Sequence, residues 1–174
     1  MAGILFFALA VAVCPFPTAL LGAVAVHEAG HIISGLVFGL GLPSFSFGIS
    51  GPRLSYHKAL SMPGSLAVSL SGSLFGLFAA FVFCEGSAFR LYSLGFSLVN
   101  LLPVSSLDGG CALLCTLETF MLPDRAYEVS KLVSAVTVVA LWAVSAAVQL
   151  KAGTNLSLLV LSVYLTVLTF SDRS

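Results

Sequence analysis

From Gly3 to Leu42 the chain carries one charged side chain, Glu28, in a run otherwise free of charge. A helix needs about 20 apolar residues to cross roughly 30 Å of hydrocarbon, so this run is longer than a single crossing. Apolar runs of similar character recur to the end of the sequence. Of the 174 residues, 59% are hydrophobic and 8% are charged, whereas an ordinary soluble domain carries about 25% charged residues. A chain so poor in charge cannot clothe a water-facing surface, and lipid must be its main solvent. The fold class expected is an all-α polytopic membrane protein of about six transmembrane helices.

Prolines and polar breaks divide the runs. Pro15 and Pro17 interrupt the first one. Because proline is well placed at a helix start, a short segment Gly3–Val13 and a second helix from about Thr18 to Leu40 are expected. The short segment barely spans, so the count is five or six. Next, Phe45, Phe47 and Ile49 alternate with small residues, Ser50-Gly51-Pro52 supplies turn chemistry, and Leu54 and Tyr56 resume the alternation. That period of two around a turn predicts a short β-hairpin. Bare strand edges are not tolerated against lipid, so it must sit on protein or at the membrane surface. A third helix runs from about Ser61 to Phe83, with Gly72 and Gly76 spaced for close helix packing. Glu85 and Arg90 mark a short polar connection. A fourth region, Phe89–Leu122, is too long for one straight span and is broken between Asn100 and Gly110. Two apolar helices, Ala126–Leu150 and Asn155–Phe170, follow.

With six crossings, Arg53, Lys58, Arg125, Lys131 and Arg173 share one side, and Arg90 and Lys151 the other. The positive-inside rule assigns the first group, and both termini, to the cytoplasm. Seven basic and seven acidic side chains cancel; without a basic stripe, nucleic acid is not an expected partner. The N-terminus lacks the basic n-region of a cleaved signal peptide and is expected to be retained. One membrane domain over residues 1–174 is expected, with no room for a second, water-soluble domain. Cys14, Cys84, Cys111 and Cys115 form no Cys-x-x-Cys pair; they are expected to pack as buried, reduced thiols.

The second helix contains His27-Glu28-Ala29-Gly30-His31. Histidines four apart project from one helix face, where two imidazoles can reach one metal ion. A glutamate beside the first histidine sits where it can take a proton from an attacking water. A charge inside the membrane is costly and functional by default, and this helix has no other. Catalytic zinc usually takes three protein ligands. Glu85, Asp124 and Glu128 are expected in connecting loops, Glu118 near the end of its segment, and His57 in a cytoplasmic loop. Asp108 differs, because it lies in the break of the fourth region after Pro103 and before Gly109 and Gly110. Irregular backbone at membrane depth is allowed only where it lines a protein cavity. The competing reading is that Asp108 merely caps the helix beginning after it. Cys111 and Cys115 share its helical face and are weaker ligand candidates.

His27-Glu-Ala-Gly-His31, followed by Asn100-Leu-Leu-Pro-Val-Ser-Ser-Leu-Asp-Gly-Gly110, resembles the paired signature of site-2 proteases. These are intramembrane zinc metalloproteases, and the likeness includes their small sporulation-type bacterial and archaeal members. It covers about residues 18–122, a three-helix catalytic core with the β-like segment after the first motif. The resemblance implies one zinc per chain held by His27, His31 and Asp108, with Glu28 as general base and Asn100 near the substrate. It implies hydrolysis of a peptide bond within or beside a transmembrane segment of another membrane protein. It also implies residence in a bacterial or archaeal cell membrane as a multi-pass protein. Neither a PDZ domain inserted after the second helix nor a CBS domain after the last is expected, so regulation by either is not carried over. Rival readings are a non-catalytic metal-binding or transport protein, which would not need Glu28, and an inactive scaffold. Self-association is left open.

Overall fold

A computed structural model of the protein describes residues 15–48, 51–56, 61–83, 86–152 and 156–171. The expected segment Gly3–Val13 lies outside these described residues, as do Cys14, Ser50, His57, Lys58, Cys84, Glu85, Asn155 and Arg173. The elements in order are α1 (Pro17–Val37), β1 (Ser44–Gly48), β2 (Gly51–Ser55), α2 (Met62–Val82), α3 (Ala88–Asn100), α4 (Asp108–Glu118), α5 (Pro123–Ala152) and α6 (Leu156–Ser171). The chain divides into two compact units, Met1–Leu101 and Leu102–Ser174.

In the first unit α1 starts on Pro17, whose missing N–H costs nothing in a first turn. It stops three residues short of the expected Leu40. Gly39 takes the left-handed conformation, with φ at 71°, and two terminal hydrogen bonds close the helix, Gly39 N–H to the Leu36 carbonyl (3.0 Å) and Leu40 N–H to the Gly35 carbonyl (2.9 Å). That pairing is a Schellman motif, which a glycine just past the last turn permits. The Ser87 hydroxyl starts α3 by accepting from the Arg90 N–H at 3.2 Å.

α1, α2 and α3 pack on one another through glycines. A Cβ on Gly30 would stand 2.7 Å from the Ser71 carbonyl oxygen of α2, and a Cβ on Gly76 would overlap the Ser97 hydroxyl of α3. The small-residue face expected on α2 is therefore used. Apolar and polar side chains are distributed inside out. Phe78 is 70% exposed and Phe81 74%, whereas Ser73, Ser93 and Ser97 are buried. Water would expel such an arrangement, while lipid accepts it, because in a bilayer close packing of small residues holds helices together.

β1 and β2 pair antiparallel, with Phe45 opposite Leu54 and Phe47 opposite Pro52. Gly51 and Pro52, expected in the turn, belong to β2. Proline is compatible with a two-stranded sheet because each strand has an unpaired edge.

In the second unit α4 packs on α5 and α5 on α6. Val104, Val138 and Leu165 form its core, with Leu102, Leu107, Leu141 and Tyr164 packed around them. α5 begins at Pro123, so Asp124 and Glu128 are helical and not in a connecting loop as expected; again proline opens the helix instead of preceding it. Cys111 is exposed and Cys115 half-buried. These two do not pack as the buried thiols expected, because α4 turns that face away from the core of its unit.

Three helices, Pro17–Val37, Met62–Val82 and the Pro123–Leu150 part of α5, are long and apolar enough to cross a membrane. The architecture is that of a helical membrane protein.

Candidate metal centre

His27 lies ten residues beyond Pro17, about 15 Å along α1 at 1.5 Å per residue. His27 and His31 are both buried. The one-turn spacing brings the two Nε2 atoms to 3.3 Å from each other. Two nitrogens on a tetrahedral ion at Zn–N bonds of 2.0–2.1 Å stand about 3.3 Å apart. The pair is therefore already spaced for a shared ion.

The tautomer of His31 follows from its other nitrogen. Nδ1 lies 2.8 Å from the Val68 carbonyl oxygen of α2. A carbonyl only accepts, so Nδ1 carries the hydrogen and Nε2 presents its lone pair toward His27. A second hydrogen bond of this kind, holding the ring nitrogen away from the metal, is the usual way a ligating histidine is oriented. Gly72 completes the seat. A Cβ there would overlap Nε2 of His31 and stand 2.7 Å from Cδ2 and 2.8 Å from Cε1. The His27 ring is held from α3 by Phe96, edge to face, with centroids 4.9 Å apart.

Glu28 follows His27 on α1 and is half-buried. One residue is about 100° of helix rotation, so its side chain leaves the direction the histidines share. Its charge reaches Tyr56, the residue after β2. Burial first, and the Glu28 carboxylate second, hold the Tyr56 phenol above its ordinary range. The same hydroxyl donates to the backbone carbonyl of His31 at 2.8 Å.

Asn100 is the last residue of α3, and its side-chain amide donates to the Phe96 carbonyl at 3.0 Å. It thus lies one turn beyond the ring that packs on His27. Asp108, in the second unit, is the first residue of α4. The cap position belongs to Leu107, which makes no side-chain cap, so Asp108 stands one residue inside the helix and the competing reading of it as the cap residue does not fit. A carboxylate in a first turn is still favoured by the helix dipole. Gly110 is buried, and a Cβ on it would collide with the Val104 carbonyl and stand 2.7 Å from the Ser105 nitrogen. The loop is tied to α5, since the Ser105 N–H donates to the Ser134 hydroxyl at 2.9 Å.

The residues packed around the histidines were not identified from the sequence. Gly72, which seats the His31 ring, was legible only as one of a packing pair, and Tyr56, which bonds the α1 backbone, only as an alternating strand residue. A backbone acceptor such as Val68 leaves no mark in a sequence.

No protein-family model matches this chain, and no curated protein matches it. Among solved structures it is similar to the site-2 protease from Methanocaldococcus jannaschii, with a TM-score of 0.69 and 16% identity, covering 99% of this chain and 88% of that one. The chain has the fold of that protease, as its two sequence motifs implied.

Proposed function

We propose that this protein is an intramembrane zinc metalloprotease of the site-2 type, cleaving a peptide bond within or beside a transmembrane segment of another membrane protein. The observation that carries the reading is the buried His27–His31 pair, 3.3 Å apart at Nε2, with His31 held in the tautomer that offers its lone pair. The shared fold supports it.

His27, His31 and Asp108 are the zinc ligands in this reading. Two imidazoles and a carboxylate are a donor set able to hold a metal ion, and three protein ligands are what catalytic zinc sites provide. One zinc bound there would supply Lewis acidity, polarising the scissile carbonyl and lowering the pKa of water. Glu28 accepts the proton of the attacking water and passes it to the leaving nitrogen. Asn100 steadies the substrate backbone with a hydrogen bond. A helical substrate hides its carbonyls in its own hydrogen bonds and must unwind before attack. An unpaired edge of the β1–β2 sheet receives the unwound strand by β-augmentation. The expected five or six crossings, cytoplasmic termini and bacterial or archaeal cell membrane belong to the same proposal.

A non-catalytic metal protein would share the histidines but have no use for Glu28 as a base. The test is Glu28→Gln in matched membranes, assayed for zinc content and for cleavage of single-span substrates. Zinc retained with cleavage lost is the expected result. Cleavage near the wild-type rate would sink the mechanism.

A further inference from the structure

We propose that Tyr56 is a positioning residue that locks the β1–β2 pair to the metal-binding helix and so sets which substrate bond lies at the metal. The inference rests on the protease reading above. Three observations carry it. First, Tyr56 directly follows β2, so its position fixes the end of that strand. Second, its hydroxyl donates to the His31 carbonyl at 2.8 Å, on the backbone of a proposed ligand. Third, its ring occupies a notch that exists because residue 35 is glycine. A Cβ on Gly35 would stand 2.7 Å from both Cε1 and Cζ of the Tyr56 ring. Such a contact is too short for any residue larger than glycine unless the ring moves.

The consequence follows from strand geometry. A substrate added to a sheet edge can shift by two residues and still point the same side chains the same way. The edge therefore selects a face but not a bond. The bond is selected by where the strand stands relative to His27 and His31, which a fixed tie between β2 and α1 determines. Tyr56 is that tie. Its hydrogen bond reaches the same turn of α1 that carries His31, and its ring seats one turn further along, at Gly35.

The experiment uses the zinc-loaded protein in detergent, with Tyr56→Phe and Gly35→Ala beside the wild type. Tyr56→Phe keeps the ring in its notch and removes only the hydroxyl, so it is expected to fold. Hydrogen exchange across residues 44–55 should quicken about fivefold in Tyr56→Phe, the scale of one lost hydrogen bond, and more in Gly35→Ala, with zinc content unchanged in Tyr56→Phe. A library of synthetic single-span peptides, read by mass spectrometry, should be cut at one bond by the wild type. The variants should add products offset by two residues, with a raised KM. Unchanged exchange in both variants would overturn the tie. Faster exchange with an unaltered cleavage site would overturn its positioning role, as would loss of zinc from Tyr56→Phe. If the wild type cuts no peptide while the variants still loosen the strands, the protease reading fails and the tie stands.

Discussion

Gly72→Ala is the most direct probe of how the candidate centre is built, because it adds one methyl group outside the motif and removes nothing. The new Cβ would overlap Nε2 of His31 and stand 2.7 Å from its Cδ2. Ordinary contact begins at 3.4 Å, so relief of the Cδ2 contact alone requires the ring or the helix to give by about 0.7 Å, and the overlap with Nε2 requires more. Metal–ligand distances tolerate only about 0.2 Å. The imidazole cannot retreat without stretching its 2.8 Å bond to the Val68 carbonyl on the same helix as Gly72. Overpacking of this kind costs about 1–3 kcal/mol, and loss of an orienting hydrogen bond typically weakens metal binding 10–100-fold. Zinc affinity, measured by competition with a chelator, should fall within or beyond that range. Two variants provide the controls. Gly76→Ala, one turn on, meets Ser97 instead of His31, so it should lower thermal stability while keeping zinc affinity. Gly95→Ala on α3 meets nothing within 4 Å and should be neutral, or stabilising by up to about 1 kcal/mol through helix propensity. Wild-type zinc affinity in Gly72→Ala, with the ring unmoved, would refute the account of the seat.

His27→Ala and His31→Ala should each lose most bound zinc by elemental analysis; full occupancy in the double variant would exclude this site. Asp108→Asn, which removes an anionic donor, should weaken both zinc retention and cleavage, in contrast to Glu28→Gln, where zinc stays. Cysteines placed at Arg53 and Arg125 should react with membrane-impermeant reagents only from the cytoplasmic side, and labelling of both from outside would reverse the orientation.

What was legible in the sequence were the features with a strong local cause. Charge poverty announced lipid. The spacing of His27 and His31 announced a shared face. Pro103 and the Gly109-Gly110 pair announced the interruption between α3 and α4, which the structure places at residues 101–107. Where expectation failed, a single residue's backbone geometry decided. Gly39 looked like one more small residue inside an apolar helix, yet its left-handed φ ends α1. Pro123 looked like a loop residue, yet it is the first residue of α5. The seat of His31 was not legible for a different reason. It is made by a carbonyl at Val68 and an absent side chain at Gly72. Neither is a metal-binding type, and only packing brings them to the ring.

The same device recurs at both ends of the proposed ligand set, each within its own unit. At Gly72 a missing Cβ admits the His31 ring, and at Gly110 a missing Cβ admits the Val104 carbonyl against the first turn of α4. In a bilayer the hydrophobic effect does not press helices together, so position must come from close backbone approach and hydrogen bonds. A larger residue at either glycine would shift a helix or a ring by several tenths of an ångström, which ordinary packing absorbs and a metal site does not. Zinc affinity should therefore respond more sharply to methyl groups added at these two glycines than to truncation of exposed lipid-facing residues such as Phe78 and Phe81. A helix bundle can spare those side chains, but it has no second way to bring a backbone that close.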